Sequence, residues 1–189
     1  MSVDYAAARN NMVDSQVRPS DVTDLTVQDA MRAAPRESIA PPDKAAIAYA
    51  DTEVEYGPGR WMLRPRDVAK LLQMLTPRAG ERALAVSSPY SAAVLSIMGL
   101  DVTECDAASV PGGPGGWTLM ICEGAVSETP REWLAALAPG GRLGVIERQG
   151  PLGRAMFYVR TSEGFGSRPV FDCTPPLMAG FEPKPGFVF

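Results

Sequence analysis

Apolar and polar residues follow both strand and helix periods along this chain, and their order predicts an α/β fold. Residues 83–86 form a continuous apolar run, two serines and a proline break it, and the next apolar residues keep helical spacing to Leu95. This order predicts a buried strand, a tight turn and a helix. Residues 101–104, 117–122 and 142–146 predict further strands. Because helices separate these strands, we expect a mainly parallel sheet with an antiparallel pair at its C-terminal side.

The N-terminal part of the chain is predicted to be helical before it reaches that sheet. Residues 3–17 keep helical spacing, and Ser20 or Asp21 is expected to cap a second helix. Residues 51–56 alternate between apolar and polar as a strand does, and a Gly-Pro-Gly turn follows them. Pro65 is then placed to open a third helix, whose apolar residues lie on one face.

Length and composition place the chain among ordinary single-domain proteins. Its 189 residues are enough to bury one sizeable core. We expect a single domain, with a helical region at 1–80 and a Rossmann-like core with its tail at 81–189. The formal net charge of −4 argues against nucleic acid as the main partner. The longest uncharged stretch, residues 83–100, has serines and a proline near its start, so a buried strand and helix explain it better than a membrane span.

Cysteine and histidine usage limits the chemistry that the chain can carry. The 3 cysteines lie far apart without metal-ligand spacing, which is typical of reduced thiols and predicts a cytoplasmic location with no metal site. The N-terminal residues lack the basic and apolar regions of a signal peptide. Histidine is absent, so the commonest general base is missing. Any chemistry has to rely on carboxylates, serines or positioning.

The turn after residues 83–86 has the position of a nucleotide-cofactor loop but holds no glycine. Cofactor loops at such junctions use glycine because the ligand needs exposed backbone N–H groups and no Cβ in the way. Here the residues are Ser87, Ser88 and Pro89. Ser88 is placed to cap the following helix, with Pro89 at its first position, and a capped helix end offers fewer free donors. The alternative is that the two serines form a replacement ligand loop.

Several short motifs, distributed over most of the chain, occur in an order that characterises one enzyme family. They are ARNNMVDSQVRP at residues 8–19, PRE at 35–37, GPGR at 57–60 with Pro65, YSAAVL at 90–95, GGRL at 140–143 and GRA at 153–155. Together they resemble the protein-L-isoaspartate O-methyltransferase family, which has a class I methyltransferase fold. The resemblance implies a Rossmann-like sandwich, S-adenosylmethionine as cofactor and methyl transfer to an L-isoaspartyl carboxylate.

The chain departs from that family in both binding loops. Family members have an acidic residue and a Gly-x-Gly-x-Gly loop before the matched tyrosine, where this chain has Ala85 and the glycine-free turn. In the family a Thr-x-Ser-x-Pro segment holds the isoaspartyl group. Residues 61–65 read Trp-Met-Leu-Arg-Pro instead, and Leu63 cannot replace a hydroxyl donor. We therefore expect no catalytic residue in either loop.

The link between Glu104 and Trp117 is also shorter than the family fold requires. A crossover helix and another strand need more residues than the link holds, so we expect the third strand and its preceding helix to be missing. This loss would expose a new edge strand. Glu104 itself matches the carboxylate that holds the cofactor ribose in the family, and the alternative is a solvated charge at a strand end. Glu123, after the next strand, is a candidate general base.

These three departures favour a non-catalytic member of the family that serves as a protein-binding or accessory subunit of a larger assembly. We expect no cofactor, no nucleic acid, no direct membrane insertion, and a protein partner or multi-subunit complex, for which a respiratory or other membrane-associated assembly is one candidate. Candidate contact residues are Trp61, Phe181, Phe187 and Phe189.

Two alternatives use the same candidate residues for a ligand. An active enzyme would bind S-adenosylmethionine through Glu104, Ser87 and Ser88, and would need little help from a general base because the acceptor carboxylate is already ionised. A regulatory module would use the same three residues to bind a nucleotide-like ligand as a signal.

Overall fold

The structure is a computed structural model that describes residues 4–111 and 116–183. Its helices are α1 (Tyr5–Met12), α2 (Leu25–Ala33), α3 (Pro65–Leu75), α4 (Pro89–Ile97) and α5 (Arg131–Ala135). Its strands are β1 (Val54–Gly57), β2 (Arg60–Met62), β3 (Arg82–Val86), β4 (Asp101–Cys105), β5 (Trp117–Val126), β6 (Leu137–Gln149), β7 (Leu152–Arg160) and β8 (Phe165–Asp172). A π-helical segment, Val13–Val17, continues α1 directly.

Six of the strands form one mixed sheet, in the order β4-β3-β5-β6-β7-β8. The pairs among β4, β3, β5 and β6 are parallel, whereas β6, β7 and β8 form an antiparallel meander. β1 and β2 make a separate hairpin. The expected α/β fold, with a mainly parallel sheet and antiparallel C-terminal strands, is therefore confirmed.

β4 lies at the edge of the sheet, next to the predicted deletion. Between β4 and β5 the described residues form a single 3-10 turn, Ala107–Ser109. Residues 112–115 of this link lie outside the described part of the chain. β3 is the one strand bonded to β4 in the described sheet, so β4 is the edge strand that the missing third strand predicts.

β3 shows how the sheet divides the core into two layers. Ala83 and Ala85 belong to one layer, Leu84 and Val86 belong to the other, and all four are fully buried. The first layer is filled by helices α1 to α4. The second is covered by α5, through Trp133, and by the chain after β8. Burial on both faces explains why the sequence of β3 is a continuous apolar run.

The cap of α2 differs from the prediction. Ser20 or Asp21 was expected there, but the Asp24 carboxylate accepts hydrogen bonds from the N–H groups of Thr26 and Val27. Asp21 instead adopts a left-handed conformation with φ 63° in the preceding turn. The helix therefore starts later, because the cap must lie next to the first donors that it satisfies.

Two prolines mark helix starts as predicted, whereas one strand was missed. α3 begins at Pro65 and α4 at Pro89. β2 is a strand of three residues that pairs with β1 across the turn at Gly59, which has φ 63°. So short a strand carries no recognisable alternation, and its pairing with β1 defines it.

Arg142 of β6 joins four segments at the amino-terminal end of the sheet. Its guanidinium donates two hydrogen bonds to the Glu81 carboxylate, each at 2.8 Å. Further bonds reach the carbonyl oxygens of Leu75, Thr76 and Thr118. Both charged side chains are mostly buried, at 14% and 19% exposed. The guanidinium lowers the pKa of Glu81, and the pair ties the end of α3 to β3, β5 and β6.

We expect Arg142→Met to lower the free energy of unfolding by about 2–4 kcal/mol, because a mostly buried carboxylate and three carbonyl groups lose their donor. Urea unfolding measures this change. The control is Arg18→Met, which removes an exposed pair with Asp14 and should have little effect. A loss in Arg142→Met no larger than that in the control contradicts the role of this arginine.

The lowered pKa of Glu81 also predicts a pH dependence. A carboxyl group whose native pKa lies below its unfolded value stabilises the fold above the unfolded pKa, and this contribution is lost as the pH falls through the native pKa. We expect Glu81→Gln to be less stable than the wild type at about pH 7 and the difference to shrink between about pH 5 and pH 2. Urea unfolding at each pH tests this, and a constant difference contradicts it.

Candidate functional site

A cavity of about 260 Å³ lies at the carboxyl ends of β3 and β4. Its lining residues are Tyr56, Arg60, Ser87, Ser88, Pro89, Glu104, Cys105 and Asp106. The strand order reverses beside β3, and α/β sheets bind their ligands at this end of the strands and at this kind of crossover point. The cavity is therefore the candidate site. It brings together all three predicted cofactor residues, Glu104, Ser87 and Ser88.

Glu104 is an exposed side chain near the end of β4, in register with Ala85 of β3. It is one of the residues that line the cavity, so its carboxylate is accessible to solvent and to a ligand. A carboxylate in this position can accept hydrogen bonds from the hydroxyl groups of a ligand.

Ser87 holds the turn between β3 and α4 in a conformation that usually requires glycine. Its φ is 46°, in the left-handed region. Its N–H donates to the carbonyl oxygen of Cys105 at 2.8 Å. Its hydroxyl accepts from the N–H of Ala107 at 2.9 Å and donates to the Asp106 carboxylate at 3.5 Å. Contacts with the segment after β4 thus stabilise a turn that residue type alone would disfavour.

Ser88 occupies the N-cap position of α4 as predicted, but its hydroxyl accepts no hydrogen bond from the helix. The Ser88 hydroxyl donates to the carbonyl oxygen of Val86 at 2.7 Å and accepts from the N–H of Glu123 at 2.6 Å. The Glu123 carboxylate, from β5, caps the helix instead and accepts from the N–H and hydroxyl of Ser91 at 2.7 and 2.8 Å. A neighbouring strand therefore supplies the cap, and Pro89 is the first helical residue as predicted.

Glu123 lies beneath the turn and does not line the cavity. It is fully buried, and its second oxygen accepts a hydrogen bond from the N–H of Leu63 at 3.2 Å. Burial raises the pKa of Glu123, while the nearby Arg36 guanidinium opposes that shift. The structure therefore does not bring the candidate general base to the cavity.

The β1–β2 hairpin closes the cavity from the other side. The Tyr56 hydroxyl donates to the carbonyl oxygen of Ser87 at 2.9 Å. Arg60 makes a two-bond pair with Asp106, at 3.0 Å for each contact, and also donates to the carbonyl oxygen of Ala179 at 3.1 Å. Burial raises the pKa of Tyr56, and Arg60 lowers the pKa of Asp106, so the first remains a donor and the second an anion.

Sequence reasoning missed Tyr56, Arg60 and Asp106 as residues of the site. The available signal was weak. Arg60 lies in the GPGR motif, and Asp106 comes two residues after the strand predicted at 101–104. Only the folded chain brings the hairpin and the end of β4 together across the cavity.

The cavity fits the nucleoside end of S-adenosylmethionine better than its methionine end. Glu104 is exposed and suits the hydroxyl groups of a ribose. At the helix end, however, the N–H groups of Ser87 and Ser91 already donate to protein acceptors, and Pro89 has none to offer. The volume is also slightly below the ~300–1,000 Å³ that is common for ligand sites. Two N–H groups near this helix end are therefore not free to bind the methionine carboxylate.

A wider cavity of about 730 Å³ lies beyond the end of β5 and contains none of the predicted site residues. Its lining residues are Ser127, Glu128, Thr129, Pro130, Arg131, Glu132, Gln149, Gly150, Gly180, Phe181, Glu182 and Pro183. No group of three or more metal-ligating side chains occurs among the described residues. No helix in the described part of the chain is long and apolar enough to span a membrane.

The residues predicted to contact a partner have different surroundings. Phe181 packs on Trp133 of the same chain, with ring centroids 5.5 Å apart. Trp61 pairs with Glu55 across the hairpin and is half-buried. Phe187 and Phe189 lie outside the described residues. A protein partner therefore stays a prediction.

Comparison with known proteins identifies the family of the chain. A family model described as Protein-L-isoaspartate(D-aspartate) O-methyltransferase (PCMT) matches residues 7–109. The protein-L-isoaspartate O-methyltransferase of Methylorubrum extorquens is 32% identical to this chain, in an alignment that covers 87% of this chain and 85% of that protein. The same enzyme from Methylorubrum populi is 31% identical, in an alignment that covers 86% of this chain and 90% of that protein.

Solved structures with the same description share the fold. A Plasmodium falciparum protein described as this methyltransferase, in complex with S-adenosyl-L-homocysteine, has a TM-score of 0.73 at 16% identity and covers 94% of this chain and 99% of its own. Another protein-L-isoaspartate O-methyltransferase has a TM-score of 0.68 at 18% identity, and the match covers 86% of this chain and 63% of that one.

The comparisons also correct the function that the departures favoured. The expectation of a non-catalytic accessory protein is wrong, because relatives that match over most of their length are named as methyltransferases. None of these relatives is described as an accessory subunit, and the expected lack of a cofactor has no support among them. This chain belongs to the protein-L-isoaspartate O-methyltransferase family.

Proposed function

We propose that this chain is a methyltransferase that uses S-adenosylmethionine to methylate the carboxylate of L-isoaspartyl residues in proteins or peptides. The names of its relatives and the family model support the reaction. The observation in this chain that carries the proposal is the cavity at the ends of β3 and β4, where Glu104 meets Ser87 and Ser88. The same three residues are the proposed cofactor contacts.

The proposed reaction makes modest demands on the side chains of the enzyme. When bound, S-adenosylmethionine supplies an activated methyl group. The acceptor carboxylate is an anion at neutral pH and already a nucleophile, so holding it in place supplies most of the rate and no general base is required. A chain without histidine, whose Glu123 is buried beneath the site, is compatible with this chemistry.

We propose that the β1–β2 hairpin separates from the turn to admit the cofactor. Tyr56 holds the hairpin to Ser87 by one hydrogen bond, and Arg60 holds it to Asp106, whose side chain is 50% exposed. Local opening of the hairpin has to break only this hydrogen bond, this ion pair and the bond from Arg60 to Ala179 on that side. We therefore place the entrance of the site between the hairpin and the turn.

A cytoplasmic location is part of the same proposal. Cys105, Cys122 and Cys173 are free thiols in the structure, and two of them are buried. Burial raises the pKa of Cys105 to about 11, which keeps that thiol protonated and unreactive. Unpaired cysteines of this kind suit a reducing compartment.

Two measurements on the purified chain test the proposed function together. We expect isothermal titration to detect binding of S-adenosylmethionine and S-adenosylhomocysteine. We also expect labelled methyl groups to pass to an isoaspartyl peptide and not to the same peptide with normal aspartate. The absence of both binding and transfer above the aspartyl control would refute the proposal.

Glu104 provides a sharper test of the cofactor site. We expect Glu104→Gln to weaken binding of S-adenosylhomocysteine about tenfold, because a charged acceptor for the ribose hydroxyl groups is lost. Asp101→Asn is the matched control, since Asp101 is also exposed but lies at the opposite end of β4. Titration of both variants gives the comparison. Equal affinities in the two variants would mean that Glu104 does not contact the ligand.

A further inference from the structure

The most unusual group beneath the candidate site is the carboxylate of Glu123, which is fully buried and accepts hydrogen bonds at both oxygens. One oxygen accepts from the N–H and the hydroxyl of Ser91, and the other accepts from the N–H of Leu63. These donors come from two segments that are distant in sequence, the N-terminus of α4 and the link between β2 and α3. We call this set of donors the Leu63–Ser91 site.

Two features of the surroundings offset part of the cost of burying a carboxylate at this site, a cost that raises the pKa of Glu123. Ser91 lies in the first turn of α4, where the helix dipole and unsatisfied N–H groups attract negative charge. Arg36 is fully buried and donates to the carbonyl oxygen of Leu63 at 2.7 Å. Its Nη1 has no hydrogen-bond partner among the described residues, where this buried positive charge lies close to the site and pairs with no other carboxylate.

The number and placement of the donors select a carboxylate in particular. Two donors converge on one oxygen and a third reaches the other, which matches a planar group with two oxygens. A tetrahedral anion such as sulfate would bring further oxygens into a dry interior without donors for them.

We propose that the Leu63–Ser91 site is a carboxylate-binding site that the chain fills with its own Glu123 side chain, and that a free carboxylate occupies it when this side chain is truncated. In the intact chain the site holds α4, β5 and the link before α3 together without any ligand. This inference rests on contacts within the chain and does not depend on the proposed methyltransferase activity.

Truncation of the side chain gives the main test. We expect Glu123→Ala to lower the melting temperature by about 10 °C in sodium chloride at pH 8, because donors and a buried cation lose their anion. Sodium formate at the same ionic strength should restore about 5 °C or more, with a saturable dependence on concentration. Formate is small enough to enter during local opening of the fold.

Matched variants separate a specific site from a general effect of salt. The wild type and Glu123→Leu should not respond to formate, since a side chain fills the space in both. Ser91→Ala in the Glu123→Ala background removes one donor and should raise the half-saturating formate concentration about 5–10-fold. Glu123→Gln should melt below the wild type at pH 8, because its amide N–H groups face other donors.

Each outcome decides the proposal. A Glu123→Ala protein that gains no more from formate than from chloride overturns it, and so does one that remains unfolded in both salts. A Glu123→Gln protein as stable as the wild type also overturns it, because the site would then not require an anion. These measurements contain no S-adenosylmethionine, so the loss of one proposal leaves the other standing.

Discussion

The arrangement of the functional end of this molecule depends on one buried carboxylate. Glu123 extends from β5 to the first turn of α4 and to the N–H of Leu63, and its own N–H donates to the Ser88 hydroxyl. A buried carboxylate is costly unless its hydrogen bonds are made, so the loss of one of these contacts weakens the others. They set the position of the turn between β3 and α4, and that turn forms one wall of the candidate cavity. The buried contacts of Glu123 therefore determine the shape of this wall of the site.

The same carboxylate explains how a family member can lack the glycine-rich loop. In a glycine-rich loop, the N–H groups at the helix end have no partner within the protein and are free to bind a ligand. Here the Glu123 carboxyl group occupies the helix end, and the Ser87 turn is stabilised by bonds to the segment after β4. The cavity keeps an exposed carboxylate, Glu104, among its lining residues. The proposed entrance for the cofactor lies between this turn and the β1–β2 hairpin, which Tyr56 holds to the turn.

Local signals in the sequence were enough for the elements, but not for the contacts between them. Pro65 and Pro89 marked helix starts because proline suits the first helical position whatever surrounds it. The apolar run of β3 and the short link after Glu104 predicted a buried parallel sheet that ends at β4. Ser88 takes the predicted N-cap position of α4, but the capping hydrogen bond comes from Glu123, 35 residues away along the chain, which no local signal could predict. The expectation of a non-catalytic protein was wrong for a related reason. The sequence shows that the glycine-rich loop and the substrate segment are missing, but it does not show which residues take their place.

A crystal structure of this chain grown with saturating S-adenosylhomocysteine tests the central claim most directly, namely that the cavity at the ends of β3 and β4 is a working cofactor site. We expect density for the nucleoside beside Glu104, with the Tyr56–Ser87 hydrogen bond and the Arg60–Asp106 pair broken and the Glu123 carboxylate still on α4. An empty cavity with both hairpin contacts intact would contradict it.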